Sequence, residues 1–284
     1  MIALDKVVIR RGGRALVDRI SLALDPGRTT VIVGPNGAGK STLIKLMSGE
    51  LRPDAGAVRL DGKPLGAWAP GGLAARRVVL AQANETALGF NVGQLAALGL
   101  RLLRGNASPS DPAALVRRAI AQAGLSGLED RIVGRLSGGE RQRAHLARVL
   151  VQLWAGQGAD GPGLLLLDEP IAAQDLAHQL HVLEIAEDHA RTGGTVCVVL
   201  HDLNWAARIA DRLVVLSQGS IYADGPPACV LSRALLADVF DVDLHPNATP
   251  GPDLPFILPQ LARPLGCADT VLHAIQRSPA CTSP

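Results

Sequence analysis

The run Gly34-Pro35-Asn36-Gly37-Ala38-Gly39-Lys40-Ser41-Thr42 has the spacing G-x-x-x-x-G-K-[ST], and its residue types suit one task, gripping a polyphosphate. Glycines at 34, 37 and 39 let the backbone curl with its N–H groups turned inward, where a Cβ would obstruct an anion. Lys40 is placed to reach the β- and γ-phosphates, and the Ser41 hydroxyl to ligate Mg²⁺. A β-branched run, Thr29 to Val33, precedes the loop, and an amphipathic segment, Leu43 to Met47, follows it. Strand, turn and helix in that order aim the positive end of a helix dipole at the loop. The stretch implies a nucleoside triphosphate site.

A second pair of reactive groups ends the run Leu164-Leu165-Leu166-Leu167-Asp168-Glu169-Pro170. An apolar strand that empties into two adjacent carboxylates is costly unless the charges are used. Asp168 is placed to hold Mg²⁺ through water, and Glu169 to act as the general base that polarises an attacking water. The next buried run, Thr195 to Leu200, ends at His201-Asp202. A histidine at a strand end beside the acidic one can hydrogen-bond a γ-phosphate or orient the water. Three more histidines, His178, His181 and His189, fall on a helix that Asp175 caps and that runs to about Arg191. They read as solvated helix residues rather than metal or heme ligands.

Leu136-Ser137-Gly138-Gly139-Glu140 opens another helix, with Ser137 and Glu140 at the S-x-x-E spacing of a capping box. Two glycines in a first helical turn cost roughly 1 kcal/mol each relative to alanine, so capping alone does not account for them. Backbone N–H groups that must approach an anion closely would.

Strands and turns have to position these groups. Ala3 to Arg10, a Gly12-Gly13 turn, Ile20 to Leu24 and a Pro26-Gly27 turn open the chain, and Gly56 to Leu60 closes on the hairpin signal Asp61-Gly62. Arg77 to Leu80 reads as a buried strand ending at Ala81-Gln82. Helical patterns over Val92 to Leu103 and Pro112 to Gln122 interrupt this strand-rich order, which predicts an inserted helical subdomain at about 85–160. Arg212 to Ser217, Gly219 and Ser220 to Ala223 read as strand, turn, strand, the second strand stopping at Tyr222 or Ala223. From Pro246 the composition changes, with 8 prolines in the last 39 residues. The main domain is expected over 1–245 and a Pro-rich tail over 246–284, whose segment Pro255 to Pro259 is suited to lie extended on the body.

The 284 residues are 48% hydrophobic but only 2% aromatic, so the core must be built from Leu, Val, Ile and Ala. No apolar run approaches the roughly 20 residues that span a bilayer. The start lacks the pattern of a secretory signal, and the four cysteines form no C-x-x-C, so the chain reads as cytosolic. Net charge is +2 but unevenly spread: +5 over 1–75, +6 over 76–150, where every basic residue is Arg, and −9 over 151–284. The basic middle reads as a solvated helical surface. Its arginines lack interleaved aromatics, so no nucleic-acid partner is expected.

Phosphate loop, Gln82, Leu136 to Glu140, Asp168-Glu169 and His201 stand in a fixed order, and in that order the chain resembles the ATP-binding cassette (ABC) ATPases over roughly residues 1–245. The resemblance implies an α/β fold: a RecA-like phosphate-loop core with an antiparallel β subdomain and an inserted α-helical subdomain. It implies ATP and Mg²⁺ as ligands, and a head-to-tail homodimer with ATP held between Gly34–Thr42 of one subunit and Ser137–Glu140 of the other. Gln82 would contact Mg²⁺ and the lytic water while sensing a transmembrane permease, and Asp175 would lie in the loop that crosses the dimer seam. Where the family stacks adenine on an aromatic residue, Arg11 stands here; its guanidinium plane can also stack. Ala172-Ala173-Gln174-Asp175 also departs from the commoner Ser-Ala-Leu-Asp.

Within the family, Leu146 to Trp154, Asp175 to Gln179, His201 to Asp211 and the Pro-rich end up to Pro259 look most like hemin-import ATP-binding proteins. That likeness implies an ATP-hydrolysing subunit peripheral to the cytoplasmic face of the inner membrane. It would drive permease subunits and be served indirectly by a periplasmic substrate-binding protein. ATPases for ferric siderophores and cobalamin share most of these features. A soluble ABC ATPase acting on nucleic acid or the ribosome is the alternative of another class, but such chains usually carry two cassettes or a long coiled coil, and this one has a single cassette and no heptad run.

Overall fold

The computed structural model describes residues 2–81, 89–103, 109–157, 161–172, 174–251, 255–258 and 261–262. Gln82, Ala173 and the end of the tail lie outside the described residues.

Two sheets organise the chain. The first is antiparallel, in the order β2-β1-β4-β5: β1 (Ile2–Arg11) and β2 (Arg14–Leu24) turn about Gly12-Gly13, and β4 (Ala55–Leu60) pairs with the other side of β1. β5 (Lys63–Pro64) follows the expected Asp61-Gly62 hairpin. The second has six strands in the order β10-β9-β3-β8-β7-β6. Its strands are β3 (Thr29–Val33), β6 (Arg77–Leu80), β7 (Leu164–Asp168), β8 (Thr195–Val199), β9 (Arg212–Ser217) and β10 (Ser220–Gly225). All neighbours from β9 to β6 are parallel, and only β10 runs antiparallel to its neighbour.

β3, β7 and β8 are buried along their whole length, as unbroken apolar runs must be when both faces of a parallel sheet are covered. Alternate residues serve different cores. Val31, Val33, Leu165, Leu167, Val196 and Val198 pack into one apolar cluster with most of the helices. Ile32, Leu164, Leu166, Cys197 and Val199 pack into another with the antiparallel sheet and the helix after β3. The carboxyl ends of the parallel strands are left between the two cores, the usual place for a ligand crevice in such sheets.

The helices are α1 (Lys40–Ser48), α2 (Pro70–Arg76), α3 (Val92–Leu102), α4 (Pro112–Gln122), α5 (Gly138–Gly156), α6 (Leu176–Arg191), α7 (Leu203–Ile209), α8 (Pro227–Val230) and α9 (Arg233–Phe240). α3, α4 and α5 pack on one another, and α5 continues to α2 and β6, so one long helix links the helical part to the parallel sheet. No helix among the described residues is long and apolar enough to cross a membrane.

Several boundaries differ from the sequence expectation. β2 begins at Arg14, not Ile20, because Ala15 and Val17 pair with Arg10 and Ile9 across shifts in register that break the alternation. β10 continues to Gly225 through another irregularity between Ile221 and Ala223. α2, α7, α8 and α9 have no counterpart in the sequence reading. His189 is buried rather than solvated, its Nε2 2.9 Å from the Gly163 carbonyl oxygen, and burial lowers its pKa. In the tail, Phe256, Ile257 and Leu258 keep their side chains exposed, Ile257 by 82%, so that segment does not bury itself on the body.

Candidate functional site

The phosphate loop leaves the end of β3 and turns into α1. A Cβ on Gly34 would lie 2.2 Å from the Leu216 carbonyl oxygen, and one on Gly39 2.4 Å from that of Leu16. Gly39 also has φ +102°, so space and backbone conformation both demand glycine there. Ala38 N donates to Pro35 O at 3.2 Å and tightens the turn. No side chain caps the N-terminus of α1, which leaves its first N–H groups for an incoming anion.

Lys40 is buried, 5% exposed, and its ammonium donates to Gly34 O at 2.8 Å and Pro35 O at 3.0 Å. Burial lowers its pKa, and the charges of Glu169 and Asp168 act the other way. Asp168, at the end of β7, is also 5% exposed and accepts from the Ser41 hydroxyl at 3.3 Å. Burial raises its pKa and neighbouring Glu169 adds to the rise, while the Ser41 bond and Lys40 oppose it.

Glu169 follows with φ 51°, a left-handed conformation that costs a non-glycine residue about 1–3 kcal/mol and persists only where its surroundings enforce it. Its N–H donates to Val199 O at 3.1 Å, and its carboxylate Oε1 meets His201 Nε2. His201 stands just beyond β8, so adjacent parallel strands deliver the pair. A cavity of about 530 Å³ is lined by Leu16, Asn36, Gly37, Gly39, Lys40, Ser41, Thr42, Glu169 and His201. The structure thus gathers the phosphate loop, Glu169 and His201 around one space, with Asp168 beside it through Ser41.

Other expected site residues stand elsewhere. Arg11 does not line the cavity: its guanidinium is bonded to Asp54 at 3.1 and 3.2 Å and to Arg10 O at 2.6 Å. Leu16, from β2, forms the wall instead. Ser137 and Glu140 make the expected capping box, Ser137 N donating to Glu140 Oε2 at 2.8 Å and Glu140 N to Ser137 Oγ at 3.3 Å. None of residues 137–140 lines the cavity. Gly138 is exposed, and a Cβ there would meet nothing within 4 Å. Gln82 lies outside the described residues.

Sequence reasoning missed the side chains that hold the loop after Glu169. Gln142, on α5, donates to Pro170 O at 2.8 Å, and Gln174 to the same oxygen at 3.1 Å. Gln179 donates to Gln174 O at 3.0 Å, and the Trp205 indole N–H donates to Gln179 Oε1 at 3.1 Å. The one signal that could have pointed there is a tryptophan in an otherwise apolar, aromatic-poor chain, whose N–H needs an acceptor once buried.

Comparison with known proteins gives a consistent result. The sequence model of the ABC transporter family matches residues 17–172. The Hemin import ATP-binding protein HmuV of Rhodopseudomonas palustris strain CGA009 is 51% identical over 250 residues, covering 88% of this chain and 91% of that protein. The protein of the same name from Bradyrhizobium diazoefficiens is 46% identical over 255 residues, covering 89% and 93%. Among solved structures, the ADP conformation of MJ1267, an ATP-binding cassette of an ABC transporter, superposes with a TM-score of 0.69 at 25% identity, covering 85% of this chain and 98% of that one.

Proposed function

Because this chain belongs to the ABC transporter family, we propose that it is the ATP-hydrolysing subunit of a bacterial importer whose cargo is hemin. The observation that carries the catalytic part is the single cavity walled by Lys40, Ser41, Glu169 and His201. The cargo rests on relatives that carry the hemin-import name over nearly their whole length and most of this chain.

The backbone N–H groups opening α1 and the Lys40 ammonium bind the phosphates. In the structure Lys40 already donates to two carbonyls, so exchanging those acceptors for phosphate oxygens keeps it satisfied. Glu169 Oε1 takes the proton of the attacking water. His201 Nε2 lies at that carboxylate and the residue lines the cavity, so its one N–H donates either to Glu169 or to a γ-phosphate oxygen.

The hydroxyl of Ser41 and the carboxylate of Asp168, 3.3 Å apart, are hard oxygen donors, and a cation beside them would relieve the crowding of Asp168 and Glu169. They fit Mg²⁺, with Gln82 as the third group. When bound, Mg²⁺ would supply Lewis-acid stabilisation of phosphate charge.

Gly138, Gly139 and the cap of α5 complete the site from a second copy of the chain, arranged head to tail. Dimer closure and reopening drive the permease through its different affinities for the two states. The protein works at the cytoplasmic face of the inner membrane, and a periplasmic binding protein delivers the cargo.

The test is reconstitution with the candidate permease in liposomes, following ATP turnover with binding protein loaded with hemin, a ferric siderophore or cobalamin. Stimulation by the hemin-loaded form alone is expected. Stimulation by another cargo overturns the choice of hemin and leaves the importer role. Basal turnover in a verified complex that responds to none contradicts the importer role.

A further inference from the structure

The segment from β7 to α6 carries Glu169 at its start and Asp175 at its end. Its hold on the rest of the molecule comes from side chains that no step above uses. From Glu169 the bonds run through Pro170 O to the Gln174 amide at 3.1 Å, from Gln174 O to the Gln179 amide at 3.0 Å, and from Gln179 Oε1 to the Trp205 indole at 3.1 Å. Trp205 N donates to Asp202 Oδ1 at 3.2 Å. Asp202 adjoins His201, whose Nε2 returns to Glu169. The ring of contacts is closed, and it surrounds a small cavity of about 190 Å³ lined by Glu169, Ile171, Gln179, His201, Asp202 and Trp205 among others.

Donors and acceptors on both sides of Gln179 set the polarity of this ring. An indole N–H can only donate. Trp205, 2% exposed, therefore fixes Gln179 with its oxygen toward the indole and its NH₂ toward Gln174 O. The NH₂ has acceptors of its own, Gln174 O at 3.0 Å and Ile171 O at 3.4 Å, so loss of the indole donor leaves the Gln179 oxygen without that partner and slackens the side chain's hold on the loop that follows Glu169.

We propose that Gln179 and Trp205 are positioning residues for hydrolysis, their bond holding Glu169 and His201 at a working separation. This rests on Glu169 being the general base. Trp205→Phe keeps the buried ring and removes the N–H. Gln179→Glu keeps the acceptor for Trp205 and removes the donor to Gln174 O. In steady-state ATP turnover by the full-length protein, each variant is expected to lower kcat about tenfold, the effect of one lost hydrogen bond in the transition state. KM for ATP should stay within about twofold, since no group that binds phosphate changes. The double variant should be no slower than the worse single one, because both break the same chain.

An unchanged kcat in Trp205→Phe overturns the proposal. So does a rise in KM that parallels the fall in kcat, or losses that multiply in the double variant, since either reports general loosening. Glu169→Gln, assayed alongside, separates the two readings. If it turns over like the wild type, the general-base assignment falls. If it is inactive while Trp205→Phe is unaffected, only the positioning role falls.

Discussion

Two helix starts in this molecule carry glycine, Gly39 as the N-cap of α1 and Gly138 as the first residue of α5, and the two serve different ends. At the start of α1, Gly39 is boxed in by its own subunit, with Leu16 O 2.4 Å from where a Cβ would sit. No side chain caps that terminus, and the N–H groups face a cavity lined by Lys40 and Glu169. At the start of α5, Gly138 has open space around it, and Ser137 and Glu140 already cap the helix in both directions. Among the described residues nothing asks for glycine at 138, although it costs helix stability. In the proposed head-to-tail dimer the requirement comes from outside, from the nucleotide held by a second subunit. One helix start is a wall of the cavity; the other, in the proposed dimer, is half of a site.

The largest effect should come from removing the wall's charge. Lys40→Ala is expected to abolish ATP binding in an equilibrium titration, since the ammonium is the buried cation among the phosphate-loop groups. Unaltered affinity would show that the backbone alone holds the phosphates.

Glu169→Gln should slow turnover by about 10²–10⁴-fold, the usual worth of a general base, while leaving ATP affinity intact. Turnover at the wild-type rate would remove Glu169 from that role.

The paired alanines bear directly on the comparison. Gly39→Ala should lower the melting temperature of the nucleotide-free protein, at a cost of about 1–3 kcal/mol for the left-handed backbone plus its clash with Leu16 O. Gly138→Ala should leave that temperature unchanged or raise it, alanine being favoured in a helix by about 1 kcal/mol, and yet slow turnover. A destabilised Gly138→Ala protein, or one that turns over normally, would erase the distinction.

The smallest effect is in the cap. The Ser137 backbone N–H, and then its side chain, hold the Glu140 carboxyl below the usual glutamate pKa. An acid whose pKa is lowered by folding adds stability above its unfolded pKa and loses it as pH falls through the folded one. Glu140→Gln should therefore flatten a slight acid-side decline in melting temperature and change little at neutral pH.

How much of this was legible in the sequence depended on where each residue's partner lies. The phosphate loop, Asp168-Glu169 and His201 could be read because spacing and strand ends are local features. The parallel strands could be read because burial on both faces leaves unbroken apolar runs. The start of β2 could not, because its bulged pairing with β1 erases the alternation. Arg11 suggested a stacking surface, but its partner is Asp54, 43 positions along the chain. His189 resembles a surface residue on a polar helix face, and it is buried by its bond to Gly163 O and by the close approach of Gly194 to its ring. Gln142 carries no local sign, because its acceptor, Pro170 O, lies 28 positions along the chain, and Gln179 reaches back five positions to Gln174 O across an irregular turn that no periodicity marks.

The central claim, that one chain holds two half-sites completed only by a second copy, is tested most directly by the mass of the Glu169→Gln protein in solution. Light scattering after size exclusion should give a dimer with ATP and a monomer without it, and adding Gly138→Ala should return the ATP-bound sample toward monomer. A protein that stays monomeric with ATP bound, and whose wild-type form shows the same specific activity at every concentration, would contradict the claim.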